Sequence, residues 1–151
     1  MRRPYNKYRN QPTPYGDQTY ASKAEAGRAC WHDLALEAGA ITGWRRGRAW
    51  VLVPPFPGGT KRDAITLTPD FELWTRPLPP GADPRDPPGA PDEVEDVKGS
   101  LRVGATTAVF RLKARLWATV YPSLPLYVVE ADGTRTRYPP RRSEARRRRT
   151  A

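Results

Sequence analysis

Between residues 22 and 39 the apolar positions recur every fourth residue, and the pattern opens and closes like a helix. Ser22 is placed to cap it, with Glu25 three residues later, and Ala26, Cys30, Leu34 and Ala38 form a small-residue stripe fit to lie on a sheet. Gly39 is placed to end it. The period then changes. Residues 48–53 read as a strand, and Pro54 to Gly59 as a loop that cannot continue it. Residues 64–68 are a second strand leading into Pro69 and Asp70, with Phe71, Leu73 and Trp74 carrying on the extended pattern. The segment 77–91, mostly Pro, Gly, Ala and Asp, is a surface loop before a third strand at 93–98. After a loop at 99–106, residues 110–121 return to helical spacing through Leu112, Leu116 and Val120, and Pro122 stops them. A fourth strand at 124–130 and a turn at Asp132 and Gly133 follow. The predicted order is arm, α, β, β, β, α, β, arm, an α/β domain over 20–138 between an extended arm at 1–19 and a tail at 139–151.

Charge sharpens this division. Of the net +10, Arg2, Arg3, Lys7 and Arg9 supply +4 at one end, and six arginines against Glu144 supply +5 over 141–151, which leaves +1 for the body. Two basic arms on a nearly neutral body suit a polyanionic partner, because they neutralise phosphates and release counterions; solvated tails that only aid solubility are the plain alternative. The 151 residues allow one modest core, and 18 prolines and 12 glycines predict long irregular connections. A lone Cys30 excludes an intrachain disulfide and a cysteine zinc site, and a lone His32 argues against a triad or histidine-rich metal centre. No long apolar run and no secretory leader is seen, so a reducing cytoplasm and no membrane are expected.

The acids that remain have a chemical logic. Asp70 and Asp96 stand on successive extended segments and could hold Mg²⁺ beside a phosphodiester, with the Val97 backbone carbonyl as a third oxygen. Side chains alternate along a strand, so Asp96 and Lys98 face one side while Val97 faces the core. Lys98 would then orient the attacking water and stabilise transition-state charge. Glu95 has the opposite parity and reads as a solvated or edge-facing acid; in the other register it would be the ligand, turned away from Lys98. Glu25 reads as a capping-box residue, or as an acid reaching the metal directly or through water, and the two roles can coexist. Lys23, Arg28, Arg111 and Lys113 are candidate phosphate contacts. The tryptophans read as core or interface anchors, with base stacking by Trp44 as a lesser alternative.

At Ser22 to Ala26, Thr68-Pro69-Asp70-Phe71, Val94 to Gly99 and Phe110 to Lys113, the chain resembles the PD-(D/E)xK nuclease superfamily. Together these segments look like a phage-encoded family of small nucleases, similar in layout to archaeal-type Holliday junction resolvases. The resemblance implies a restriction-endonuclease-like core, a central mixed sheet flanked by helices in αβββαβ order. It implies Mg²⁺, with Mn²⁺ as substitute, and a homodimer, in the host cytoplasm if phage-encoded. By motif position Asp70 and Asp96 become metal ligands, Lys98 the catalytic lysine and Glu25 the helix acid. The function expected is a structure-selective DNA endonuclease acting on four-way junctions, because a symmetric dimer suits a two-fold branched substrate and so short a chain has no room for a base-reading module. Another nuclease of the superfamily (an exonuclease, flap or nicking enzyme) and a non-enzymatic basic DNA-binding protein are the alternatives.

Overall fold

Residues 11–98 and 107–140 are described by the computed structural model. The basic ends at 1–10 and 141–151, and the loop expected at 99–106, lie outside the described residues. Helix α1, Lys23–Glu37, starts as predicted. The Ser22 hydroxyl accepts the Glu25 N–H at 3.2 Å, and the Glu25 carboxylate accepts from the Ser22 hydroxyl and the Ala21 N–H, also at 3.2 Å. Gly39 follows the helix with φ +73°, a conformation that favours glycine. The buried face is not the expected stripe. Ala26, Ala29 and Ala35 are buried together with Arg28 and His32, whereas Leu34 is 59% exposed. Four residues advance a helix by about 40° beyond a full turn. A strict fourth-residue stripe therefore drifts off the sheet within three steps.

Five strands form the central sheet, in the order β3 (Gly43–Arg46), β6 (Phe71–Trp74), β7 (Glu93–Lys98), β8 (Leu126–Glu130) and β9 (Arg135–Tyr138). The β3–β6, β6–β7 and β8–β9 pairs are antiparallel, and β7–β8 is parallel. The parallel pair is joined through helix α2, Ala108–Val120, since parallel neighbours need a crossover. On one side of the sheet lie α1 and the hairpin β1 (Thr13–Tyr15) and β2 (Gln18–Tyr20), around a core of Tyr20, Ala29, Ile41, Trp44, Phe71 and Leu73. On the other side α2 and the ribbon β4 (Trp50–Val53) and β5 (Ile65–Leu67) enclose Leu52, Leu67, Val94, Phe110, Trp117 and Leu126.

Three expectations change. Residues 13–19, read as the end of an extended arm, form a hairpin on α1 together with Tyr20. The first sheet strand is β3 and not the 48–53 segment, which instead joins 65–67 in the separate ribbon. The sequence Gly43-Trp44-Arg45-Arg46 hides this strand behind two cations; Arg45 is tolerated because Glu72, directly opposite in register, receives its guanidinium at 2.7 Å. Helix α2 buries Phe110, Ala114 and Trp117, while Leu112 and Val120 are 57% and 42% exposed. That helix carries apolar residues on two faces, so its period is readable and its phase is not. No helix among the described residues is long and apolar enough to cross a membrane.

Candidate active site

The β6–β7 ladder ends at the Phe71–Glu95 pair, and there the two strands part. Asp70, one residue before β6, fills the gap. Its N–H donates to the Glu95 carbonyl at 2.8 Å, and its Oδ2 accepts the Val97 N–H at 2.6 Å. The carboxyl is thereby held across the start of the divergence, against the strand that carries Asp96 and Lys98. Gly47 secures the other flank: its N–H donates to the Asp70 carbonyl at 2.9 Å, and a Cβ built there would fall on the Pro69 carbonyl oxygen. Only a residue without a side chain fits this approach.

Asp96 and Lys98 share a face of β7, as the alternation predicted, and the Lys98 ammonium lies 2.5 Å from Asp96 Oδ2. Lys98 also sits over the Phe110 ring of α2, 4.6 Å from its centroid. Val97 packs against the core on the α1 side. Burial pushes the Asp70 carboxyl up to about 7, helped by the charges of Asp96 and Glu25 and opposed by the Val97 N–H and Lys98. Asp96 is likewise raised, by burial first, with Glu25 adding to it and Lys98 opposing. Asp70, Asp96, Glu25 and Lys98 thus lie within electrostatic reach of one another. Glu25 adds its charge to theirs while serving the α1 cap.

Glu95 is corrected outright. It is neither solvated nor at an edge, but fully buried on the α1 side. Arg28 grips it with two bonds of 2.6 and 2.8 Å, Arg135 Nε adds a third at 2.7 Å, and His32 Nε2 lies 2.9 Å away. Burial works against its charge, yet the hydrogen bonds and charge of Arg28, with Arg135, hold the carboxyl below the usual range. His32 is pushed down to about 4 by burial, against the pull of Glu95. It is therefore neutral at pH 7, with the proton on Nε2 facing the carboxylate and a bare Nδ1 that has no partner. Arg28 is corrected with it: at 8% exposure and committed to Glu95, it is not a phosphate contact. Lys23 and Arg111 are exposed and Lys113 is half-buried, on the surfaces of α1 and α2. Trp44 is buried, its Nε1 donating to Asp33 at 2.9 Å, which settles it as an anchor.

Glu72, unremarked in the sequence, is the other fully buried acid. Arg45, the Arg48 N–H and Trp50 Nε1 all donate to it. Glu72 and Glu95 are thus structural, each saturated by donors. Asp70, half-buried, and Asp96, buried, differ in having one ammonium, Lys98, to offset two carboxylates.

That surplus is what a divalent cation relieves, and two carboxylates meet the need of a Mg²⁺ ion that keeps several waters. Among the described residues no three Asp, Glu, His or Cys side chains are grouped to hold a metal by themselves. Glu25 is tied to its cap, so the side-chain donors the protein could offer a metal here are Asp70 and Asp96. Compared with known proteins, the chain matches no family model, no curated protein and no solved structure.

Proposed function

We propose that this protein is a metal-dependent DNA endonuclease of the PD-(D/E)xK type, selective for branched DNA and acting as a Holliday junction resolvase. One observation carries the reading: two carboxylates with raised affinity for protons, the half-buried Asp70 and the buried Asp96, lie within electrostatic reach of one ammonium, Lys98, which pairs with Asp96. The order α1, β3, β6, β7, α2, β8, with three antiparallel strands and a fourth parallel to the third, supports a restriction-endonuclease-like core. A Mg²⁺ ion bound here supplies Lewis-acid stabilisation of phosphodiester charge and a more acidic water. Asp70 and Asp96 would hold it, with the Val97 carbonyl available as a further oxygen. Lys98, positioned by Asp96 and by the Phe110 ring, orients the attacking water and offsets charge on the pentavalent phosphorus. Glu25 contributes negative potential from the first turn of α1 and can hold a water of the metal's shell.

The basic ends, with Lys23, Arg111 and Lys113, grip phosphates. A homodimer would set two such sites on opposing strands of a two-fold junction. The test is a labelled synthetic four-way junction and a linear duplex of the same length, each incubated with the protein and Mg²⁺. Paired nicks in the junction, bearing 5′ phosphates and absent with Asp70→Asn or Asp96→Asn, are expected. Equal cleavage of duplex and junction removes junction selectivity. Undiminished cleavage by Asp70→Asn removes the site.

A further inference from the structure

A second concavity lies on the α1 side of the sheet, the face opposite Asp96 and Lys98, and is built from other residues. It encloses about 590 Å³, within the range of sites that take a small molecule. The β1–β2 hairpin, Asp33 of α1, the outer strand β3 and Arg85 of the long loop contribute its walls, which combine aromatic rings and three arginines with two acids, Asp17 and Asp33. The Arg46 guanidinium lies over the Tyr20 ring at 5.0 Å, and that of Arg85 over Trp44 at 5.5 Å. Asp33 ties the lining together, accepting from the Tyr15 hydroxyl at 2.7 Å and from Trp44 Nε1 at 2.9 Å, and pairing with Arg85 at 3.0 Å. Arg46 has no carboxylate partner among the described residues. Its contacts are the Gln18 side-chain oxygen at 3.5 Å and the Thr19 carbonyl at 3.3 Å, both long for hydrogen bonds.

Two elements carry this pocket to the edge of the active site. Arg46 stands opposite Phe71 in the β3–β6 ladder, one residue from Asp70. Tyr20 precedes Ala21, whose N–H donates to Glu25. On the nuclease reading, a DNA strand with a phosphate at Asp70 and Asp96 that continues around this end of the sheet to the Arg46 face reaches the mouth of the pocket. The geometry points to a nucleotide subsite: the pocket takes one unpaired nucleotide of the cleaved strand, its base against Tyr15 and its phosphate on Arg46 and Arg85. This assignment rests on the nuclease reading above for the path of the strand. Guanidinium groups match phosphate oxygens in a fork, aromatic walls accept any base, and a concavity of this volume has room for a nucleotide. A nucleotide at a branch point leaves its stack at low cost, whereas one inside a duplex does not. The subsite thus gives the short chain a means of preferring branched DNA without reading sequence.

The experiment uses the full chain in EDTA, where no cleavage occurs, and four-way junctions carrying 2-aminopurine at each branch nucleotide in turn. Unstacking into the pocket is expected to raise fluorescence several-fold at one position. Arg46 is exposed, so Arg46→Gln should keep the wild-type melting temperature. It should cancel the fluorescence rise and weaken junction binding roughly tenfold while changing duplex binding by less than about twofold. Arg85→Gln is expected to act in the same direction, and Arg46→Lys to restore part of the binding. No brightening at any position overturns the subsite, as does an equal loss of duplex and junction affinity in Arg46→Gln. Because binding is read without metal, the two proposals fail separately. Missing cleavage with the fluorescence result intact sinks only the nuclease; intact cleavage without it sinks only the subsite.

Discussion

Replacing Arg28 by Met tests whether the buried ionic cluster holds α1 to the sheet. Arg28 and Glu95 are 8% and 0% exposed, and their paired bonds measure 2.6 and 2.8 Å. Removing one partner of such a pair costs about 3–5 kcal/mol, most of it from the charge left behind without compensation. Arg135 still donates to Glu95 in the variant, so the lower end, about 3 kcal/mol, is expected. At roughly 2–4 °C per kcal/mol for a domain near this size, that is a fall in Tm of about 6–12 °C. Thermal and urea unfolding in EDTA measure it without interference from metal. The double variant Arg28→Met with Glu95→Leu should recover part of the loss, because no charge then needs desolvating, and Arg135 retains Glu93. A fall below about 2 °C, or a double variant no better than the single, would refute the reasoning.

Three further outcomes follow from the same geometry. His32, facing Glu95 and Arg28, has a folded value near 4 against an ordinary 6.5. The unfolded chain therefore binds the extra proton first, and stability present above pH 6.5 is lost as the pH falls toward 4; at pH 5 the loss is about 2 kcal/mol, so urea titrations of His32→Asn should show a flatter pH dependence than wild type by that amount. Gly47→Ala should cost roughly 2–3 kcal/mol and suppress cleavage more than unfolding explains, since the new methyl displaces the Pro69–Asp70 backbone; rates taken well below the Tm would separate the two effects. Millimolar Mg²⁺ should raise the wild-type Tm, by RT ln(1 + [L]/Kd), and leave the Asp70→Asn, Asp96→Asn double variant unmoved, as scanning calorimetry with and without EDTA would read.

The shared face of Asp96 and Lys98 and the Glu25 capping box were the most legible features of the chain. The alternation that puts Asp96 and Lys98 together depends only on backbone pleating, and a capping box depends only on four consecutive residues. Both are local, and both appear in the fold. Glu95 shows where that reasoning stops. Alternation separates two faces, but it equates one with solvent only when the sheet is covered on one side. Here α1 covers one face and α2 the other, so both sets of side chains on β7 point inward. The acid that alternation turned away from the site entered a second interior, where arginines from 67 residues before and 40 residues after it were waiting.

Local spacing was therefore enough to place two helices, most of the strands and the order of the acids that converge, because helix caps, turn residues and strand parity are set by neighbours in the chain. The long-range pairings were beyond it: β3 taking the edge of the sheet, the 50–67 ribbon leaving it, and each buried acid meeting its cation. Those depend on which surfaces face each other once the chain has closed, and a buried charge is stable only where that closure brings a counter-charge to it.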